Sequence, residues 1–256
     1  MRFIRYQITG EAPRYGWTLG DQVGAVEGSI FGEFRRLEAE HPLEAVRLLA
    51  PAQPSKIICV GRNYAAHAKE QNAEVTEVPT LFFKPPSAII GTGDRVRLPP
   101  QSKQVEHEAE LCVIIGKRGR WIDPDEAMHH VLGFTVANDV TARDLQFRDG
   151  QWTRGKSFDT FLPLGPWIET EFDPADVLVT SRVNGELRQM ASTRDMVFSV
   201  KQLITFISSV MTLEPGDILL TGTPAGVGPL VAGDVVEVEV EGIGVLRNPV
   251  EAEPAR

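Results

Sequence analysis

The chain has 256 residues, of which 42% are hydrophobic and 24% charged, with a formal net charge of −9. That is the composition of a folded globular protein, long enough for one large domain or for one large and one small. The acidic balance gives no footprint for nucleic acid or an anionic membrane surface, and no run approaches the roughly 20 apolar residues of a membrane-spanning helix.

Met1 leads into Arg2 and Arg5 without an apolar stretch of signal-peptide length, so a cytoplasmic location is expected. Cys59 and Cys112 both lie in apolar runs and read as buried free thiols rather than as a disulfide or a nucleophile. Residues 1–54 alternate short apolar runs with turn residues, which predicts a small β-rich N-terminal lobe with a short helix near Leu43 to Leu49. The segment Ala50-Pro51-Ala52-Gln53-Pro54-Ser55 reads as a linker, which leaves residues 55–256 as the main domain.

Lys56 to Val60 predicts a buried strand, and Arg62 to Glu70 a short helix on which Asn63, His67 and Glu70 share a face. A carboxylate beside an imidazole raises its pKa and orients it, as a general base requires; the plainer reading is a weak solvated pair. The polar stretch Gln71 to Pro79 would let this helix move as a lid. Thr80 to Pro86 is a strand whose Lys84 is either a solvated edge charge or faces a site.

Val105 to Gly116 reads as one strand, with Glu108, Glu110, Cys112 and Ile114 on one face and Ala109, Leu111, Val113 and Ile115 on the other. Two carboxylates side by side at the start of an apolar strand repel each other and resist desolvation. Either they stand in water at the strand end or a cation lies between them.

Val131 to Asp139 is an apolar strand that delivers Asp139 at its exit, and a helix from Thr141 carries Arg143 and Gln146 beside it. Asp144 reads as a helix-end residue, and Gly150 as the stop. Lys156 lies among Trp152, Phe158 and Phe161, a setting that demands an anionic partner or a lowered pKa. Asn184-Gly185 predicts a hairpin, and Ser199 to Val210 a helix. Asp217 to Gly228 is a strand running into a glycine-rich loop without the Gly-Lys-Ser/Thr of a nucleotide site, though its amides at Gly222 and Thr223 suit a carboxylate.

Six segments in order then resemble the fumarylacetoacetate hydrolase family: Val60-Gly61-Arg62-Asn63-Tyr64 with His67, Phe83-Lys84-Pro85, Glu108-Ala109-Glu110-Leu111, Asn138-Asp139 with Ala142-Arg143-Asp144 and Gln146, Gly155-Lys156-Ser157-Phe158-Asp159, and Thr221-Gly222-Thr223-Pro224 with Gly226-Val227-Gly228. The resemblance implies a mainly β protein with short helices (α+β), built as a mixed β-sandwich roll of that family's C-terminal type. It implies one divalent ion per chain, Mg²⁺ or Mn²⁺, with Glu108, Glu110 and Asp139 as ligands. It assigns His67, Glu70 and Lys156 to catalysis, and Arg62, Tyr64, Lys84, Arg143, Gln146 and Thr223 to substrate contact. It further implies a homodimer.

The larger fumarylacetoacetases carry a further acidic ligand where this chain has Arg62-Asn63-Tyr64, so the resemblance is to the compact branch and fumarylacetoacetate is not the expected substrate. The expected reaction is cleavage of a C–C bond beside the carbonyl of a small 2-oxo acid through a metal-stabilised enolate, by acylpyruvate hydrolysis or oxaloacetate-type decarboxylation. Isomerisation of the 2-hydroxyhepta-2,4-diene-1,7-dioate kind in aromatic catabolism is the alternative. A non-catalytic metal-binding β-scaffold is the alternative of another class.

Overall fold

The computed structural model describes residues 1–254. The N-terminal strands are β1 (Arg2–Gln7), β2 (Arg14–Leu19), β3 (Gln22–Gly28), β4 (Phe34–Pro42) and β5 (Arg47–Leu49). Next come β6 (Ile57–Gly61), α1 (Ala65–Glu70), β7 (Thr80–Lys84), β8 (Ile89–Ile90), β9 (Val96–Leu98), β10 (Val105–His107) and β11 (Ala109–Ile115). The centre holds β12 (Val131–Asn138), β13 (Thr141–Ala142), α2 (Arg143–Asp149), α3 (Thr153–Lys156) and β14 (Leu162–Glu169). The last third is β15 (Leu178–Val183), β16 (Glu186–Ser192), α4 (Val200–Val210), β17 (Ile218–Leu220), β18 (Gly228–Pro229), β19 (Val235–Val240) and β20 (Gly244–Ala252). The fold is therefore mainly β with short helices, as the sequence leads one to expect.

One large sheet runs β4-β3-β2-β1-β14-β12-β11-β17-β6-β7, with β5 and β8 attached at its side. The N-terminal strands enter this sheet through β1, whose Arg2 and Phe3 lie opposite Glu169 and Ile168 of β14. A five-stranded sheet, β16-β15-β19-β20-β9, and a three-stranded sheet, β13-β10-β18, complete the roll. β11 is buried along its whole length and separates two apolar clusters. Leu111, Val113 and Ile115 pack with Val179, Val238 and Leu203 on one side, and Cys112 and Ile114 with Ile57, Cys59 and Leu162 on the other. The period-two alternation of this segment is thus the alternation between two cores. Cys59 and Cys112 are both buried and unpaired.

Four local expectations need correction. The segment Leu43 to Leu49 is a 3-10 turn, Leu43–Ala45, followed by β5, because β5 gains ladder bonds to β1. Helix α1 starts only at Ala65, so Asn63 lies before it and shares no helix face with His67. Residues 141–142 are strand and not the first helical turn, because they pair with Val105 and Glu106 of β10. The strand through Val105 to Gly116 is interrupted at Glu108, where the chain passes from the three-stranded sheet into the large one.

Candidate metal centre and its cavity

That interruption builds the site. In the large sheet Ala109 lies opposite Asn138, and the Asp139 amide donates to the Glu108 carbonyl at 2.9 Å. Glu108 and Asp139 therefore face each other across neighbouring strands, while Glu110, two residues on, projects from the same side of β11. Donor atoms of the three carboxylates lie within 4.8 Å of one another. Glu108 is 4% exposed, Glu110 2% and Asp139 0%, which rules out the reading in which the two glutamates stand in water.

The surroundings are as charged as the triad. Lys156 Nζ donates to Glu108 Oε2 and Asp139 Oδ2, both at 2.8 Å. Lys84 Nζ donates to Asp139 Oδ1 at 2.7 Å and to the Val140 carbonyl at 3.1 Å. Arg143 donates to Glu106 Oε2 at 2.7 Å, to Gln146 Oε1 at 2.6 Å and to Glu108 Oε1. Glu106, Glu108, Glu110 and Asp139 thus meet Lys84, Lys156 and Arg143, which leaves one negative charge in excess if all are ionised.

These contacts act differently on the two glutamates. Burial raises Glu108, but Lys156 and Arg143 outweigh it and hold its carboxyl below the usual carboxylate range. Glu110 has no cation in contact; burial, then Asp139 and Glu108, push it well above that range, and the Gly222 amide at 2.6 Å offsets only part of this. Burial works against the charge on Lys156, but Asp139 and Glu108 overcome it and raise its pKa. The two carboxylates thus favour the charged form of Lys156.

The donor set fits a divalent ion. Three buried carboxylate oxygens at mutual ligand spacing are hard donors of the kind that hold Mg²⁺ or Mn²⁺. Glu110, crowded by two carboxylates and short of a cation, is the member such an ion would relieve. An ion there would also turn the local excess from one negative to one positive charge, which suits an anionic ligand.

A cavity of about 70 Å³ adjoins the triad, lined by Val60, Phe82 and Trp152 and by the polar groups of Arg62, His67, Glu108, Glu110, Arg143, Gln146, Lys156 and Thr223. His67 is 6% exposed, with Nδ1 3.0 Å from Glu70 Oε2, whose side chain is 32% exposed, so a buried imidazole is held by a partly solvated carboxylate. Nε2 is the ring nitrogen left to act on a ligand. Tyr64 and Lys84 stand outside the lining: Lys84 is behind Asp139, and Tyr64 borders a neighbouring hollow with Met190 and Pro224. The Thr223 hydroxyl donates to the Ala109 carbonyl at 2.9 Å and accepts from Gln189 Nε2 at 2.8 Å. Its proton is therefore committed, and towards a ligand the hydroxyl can only accept. Asp144 accepts from Ser102 and the Lys103 amide, away from the site.

The loop after β17 is shaped by Gly222, whose φ is +95° and where a Cβ would stand 2.7 Å from the Asn63 Cβ. Only glycine allows that approach. Asn63 in turn bridges the Thr221 and Phe198 backbones.

Sequence reasoning did not assign a role to Glu106, Asn138 or Gln189. Glu106 extends the Glu108/Glu110 alternation by one step, and Asn138 adjoins Asp139, so both were within reach. Asn138 Oδ1 accepts the Glu108 amide at 2.9 Å, at the point where the strand is interrupted. Gln189 is a buried polar residue on β16, with no local pattern to mark it.

The family model described as "Fumarylacetoacetate (FAA) hydrolase C-terminal" matches residues 56–251. This chain belongs to the fumarylacetoacetate hydrolase family. A second model, described as "Rv2993c-like, N-terminal", matches residues 1–51. The oxaloacetate tautomerase FAHD2B, mitochondrial, of Bos taurus is 50% identical over 222 residues, covering 82% of this chain and 71% of that protein. The crystal structure of 5-carboxymethyl-2-hydroxymuconate delta-isomerase from Mycobacterium smegmatis superposes with a TM-score of 0.91 at 42% identity, covering 99% of this chain and all of that one. Fumarylacetoacetate hydrolase from Exiguobacterium antarcticum gives 0.87 at 43% identity over the same shares. Members of the family are enzymes acting on small molecules, as these names state.

Proposed function

We propose that the chain is a divalent-metal-dependent enzyme that transfers a proton at the carbon beside the carbonyl of a small 2-oxo dicarboxylate, tautomerising a substrate of the oxaloacetate kind. The observation that carries this reading is His67, which lines a cavity that also exposes Glu108 and Glu110 and whose Nδ1 lies 3.0 Å from Glu70, outside that lining. Glu108, Glu110 and Asp139 would hold a divalent ion, which when bound would supply a Lewis acid for the substrate carbonyl.

The chain's own residues do the rest. Lys156 keeps a fixed positive charge beside the triad, where negative charge grows on the oxygen of an enolate. Glu70 fixes the proton of His67 on Nδ1 and leaves Nε2 to take a proton from carbon and return it.

C–C cleavage is the second reading. The fixed charge of Lys156 favours it, because decarboxylation needs an electron sink but no proton transfer from carbon. One experiment separates the two. The purified protein with Mn²⁺ is given oxaloacetate, and enol–keto conversion and CO₂ release are followed together. Faster interconversion without CO₂ supports tautomerisation; CO₂ release at the same rate moves the assignment to decarboxylation. No turnover of any 2-oxo acid with Mn²⁺ bound would leave a non-catalytic ion site.

We also propose, from the family resemblance, that the protein works as a homodimer. A monomer mass by light scattering at micromolar concentration would contradict it.

A further inference from the structure

Gln189 lies 1% exposed on β16, the strand that leaves the Asn184-Gly185 turn, and its amide makes five contacts. Oε1 accepts from the Ala109 amide, the Ser181 hydroxyl and His107 Nδ1, each at 3.0 Å. Nε2 donates to Thr223 Oγ1 and to the Pro224 carbonyl, each at 2.8 Å. The orientation of the amide is forced, because a backbone N–H only donates and a carbonyl only accepts. The same oxygen requires the proton of His107 on Nδ1, and burial favours the neutral ring.

Ala109 is the residue between Glu108 and Glu110. Its amide is held by Gln189 and its carbonyl by Thr223, whose hydroxyl is held in turn by Gln189. One side chain therefore fixes both polar groups of that residue and the start of the loop over the cavity. β16 belongs to a different sheet from β11, so nothing in the β11 ladder supplies this support. Pairing with β12 holds Glu110 and the Glu108 carbonyl, but the Ala109 amide and carbonyl point away from β12 and rely on these side chains.

We infer that Gln189 is a positioning residue: it aims Glu108 and Glu110 through the Ala109 peptide and seats Thr223 against the cavity. The inference rests on the reading of the acidic triad as a metal site. Outer groups that orient ligands typically carry ~10–100-fold in metal affinity or activity.

The test compares Gln189→Met and Gln189→Glu with wild type by Mn²⁺ calorimetry and by oxaloacetate turnover, with thermal melting as the check on folding. Gln189→Met removes every contact at nearly constant volume and is expected to weaken Mn²⁺ ~10–100-fold. Gln189→Glu keeps an acceptor for the Ala109 amide but faces Thr223 and Pro224 with an oxygen. It is expected to bind Mn²⁺ as tightly as wild type or more tightly, while KM rises about tenfold. A loss of packing alone would not move the two constants in different directions. Wild-type Mn²⁺ affinity and KM in both variants would overturn the role of Gln189. If Gln189→Met fails to fold, the split in Gln189→Glu decides. Wild-type protein that binds no Mn²⁺ would instead overturn the metal reading itself.

Discussion

Glu70 Oε1 accepts the backbone amide of Gly226 at 3.0 Å, which ties helix α1 to the loop after β17. Its other oxygen holds His67, so a single carboxylate both closes the helix over the cavity and sets the tautomer of the base. Gly226 cannot be replaced without cost, since its φ is +101° and a Cβ would stand 2.1 Å from the Arg188 carbonyl. Glu70→Gln keeps an oxygen for Gly226 but turns an N–H toward His67 Nδ1, which moves the ring proton to Nε2. Enol–keto conversion should fall by ~10²–10⁴-fold, the range of a lost general base, with Mn²⁺ affinity unchanged in calorimetry. An equal fall in Mn²⁺ binding would show that Glu70 acts on the acidic triad and not on the base.

The three carboxylates stand in different settings, so their substitutions should not act alike. Relief of repulsion on removing one of three like charges is the simple expectation, and Glu110 meets it: it touches no cation and is crowded by Asp139 and Glu108. Glu110→Gln, which can still accept from the Gly222 amide, should raise the melting temperature of the metal-free protein at neutral pH. Asp139 is the opposite case. Lys84 and Lys156 both donate to it at 2.7 and 2.8 Å with side chains 0% and 2% exposed. Asp139→Ala leaves two buried ammonium groups short of a partner, which costs ~3–5 kcal/mol and about 10 °C in melting temperature. Both variants should lose Mn²⁺ binding. Equal melting shifts of the same sign would refute this division of roles.

Much of this contrast was written in the chain. The period-two spacing of Glu108 and Glu110, the exit of an apolar run at Asp139, and a lysine set among Trp152, Phe158 and Phe161 are local signals. Local signals survive because strand alternation and helix spacing act over a few residues. What could not be read was the partner of each charge. Lys84 pairs with Asp139 across 55 positions and Arg143 with Glu106 across 37, distances that only strand order sets. The interruption at Glu108 was hidden too, because each half of Val105 to Gly116 is a good strand and the change of sheet depends on β13, β17 and β18. Gln189 lies furthest from local inference: its five contacts come from three distant stretches of chain, 107–109, 181 and 223–224. For the N-terminal residues, apolar alternation showed strands, but their joining to β14 through β1 left no mark in residues 1–54.

Glu169 offers a pH test at that junction. Burial raises its pKa, but the Met1 amino group at 3.0 Å, the Glu171 amide and Arg2 at 3.1 Å outweigh this and hold the carboxyl below 4.5. A depressed carboxyl stabilises the fold above its unfolded value and loses that contribution as pH falls through the folded value. Glu169→Gln should therefore be less stable than wild type at pH 7, by on the order of 1 kcal/mol. The difference should close as pH drops below 4.5. Melting temperatures of the two proteins across that range check it, and a gap that widens toward acid would contradict the assignment.

Arg62 bears on which 2-oxo acid is taken. Of the nitrogen-bearing basic side chains on the cavity wall, Arg143 and Lys156 are bound to carboxylates, and His67 to Glu70. Arg62 has no acidic partner among the described residues, and its guanidinium lies 5.7 Å from the Trp152 ring centre. Its backbone is in the left-handed region, φ +60°, a conformation that a residue with a side chain holds only where the surroundings impose it. An unpaired guanidinium at the edge of a site for a 2-oxo carboxylate matches the second carboxylate of a diacid. Arg62→Gln should raise KM for oxaloacetate by ~10–100-fold, the worth of one hydrogen bond to a charged group. Deuterium exchange of the pyruvate methyl group, which involves no second carboxylate, should proceed at the wild-type rate. If pyruvate exchange and oxaloacetate turnover fall together, Arg62 shapes the cavity without reading the diacid, and a monocarboxylic 2-oxo acid becomes the better substrate class.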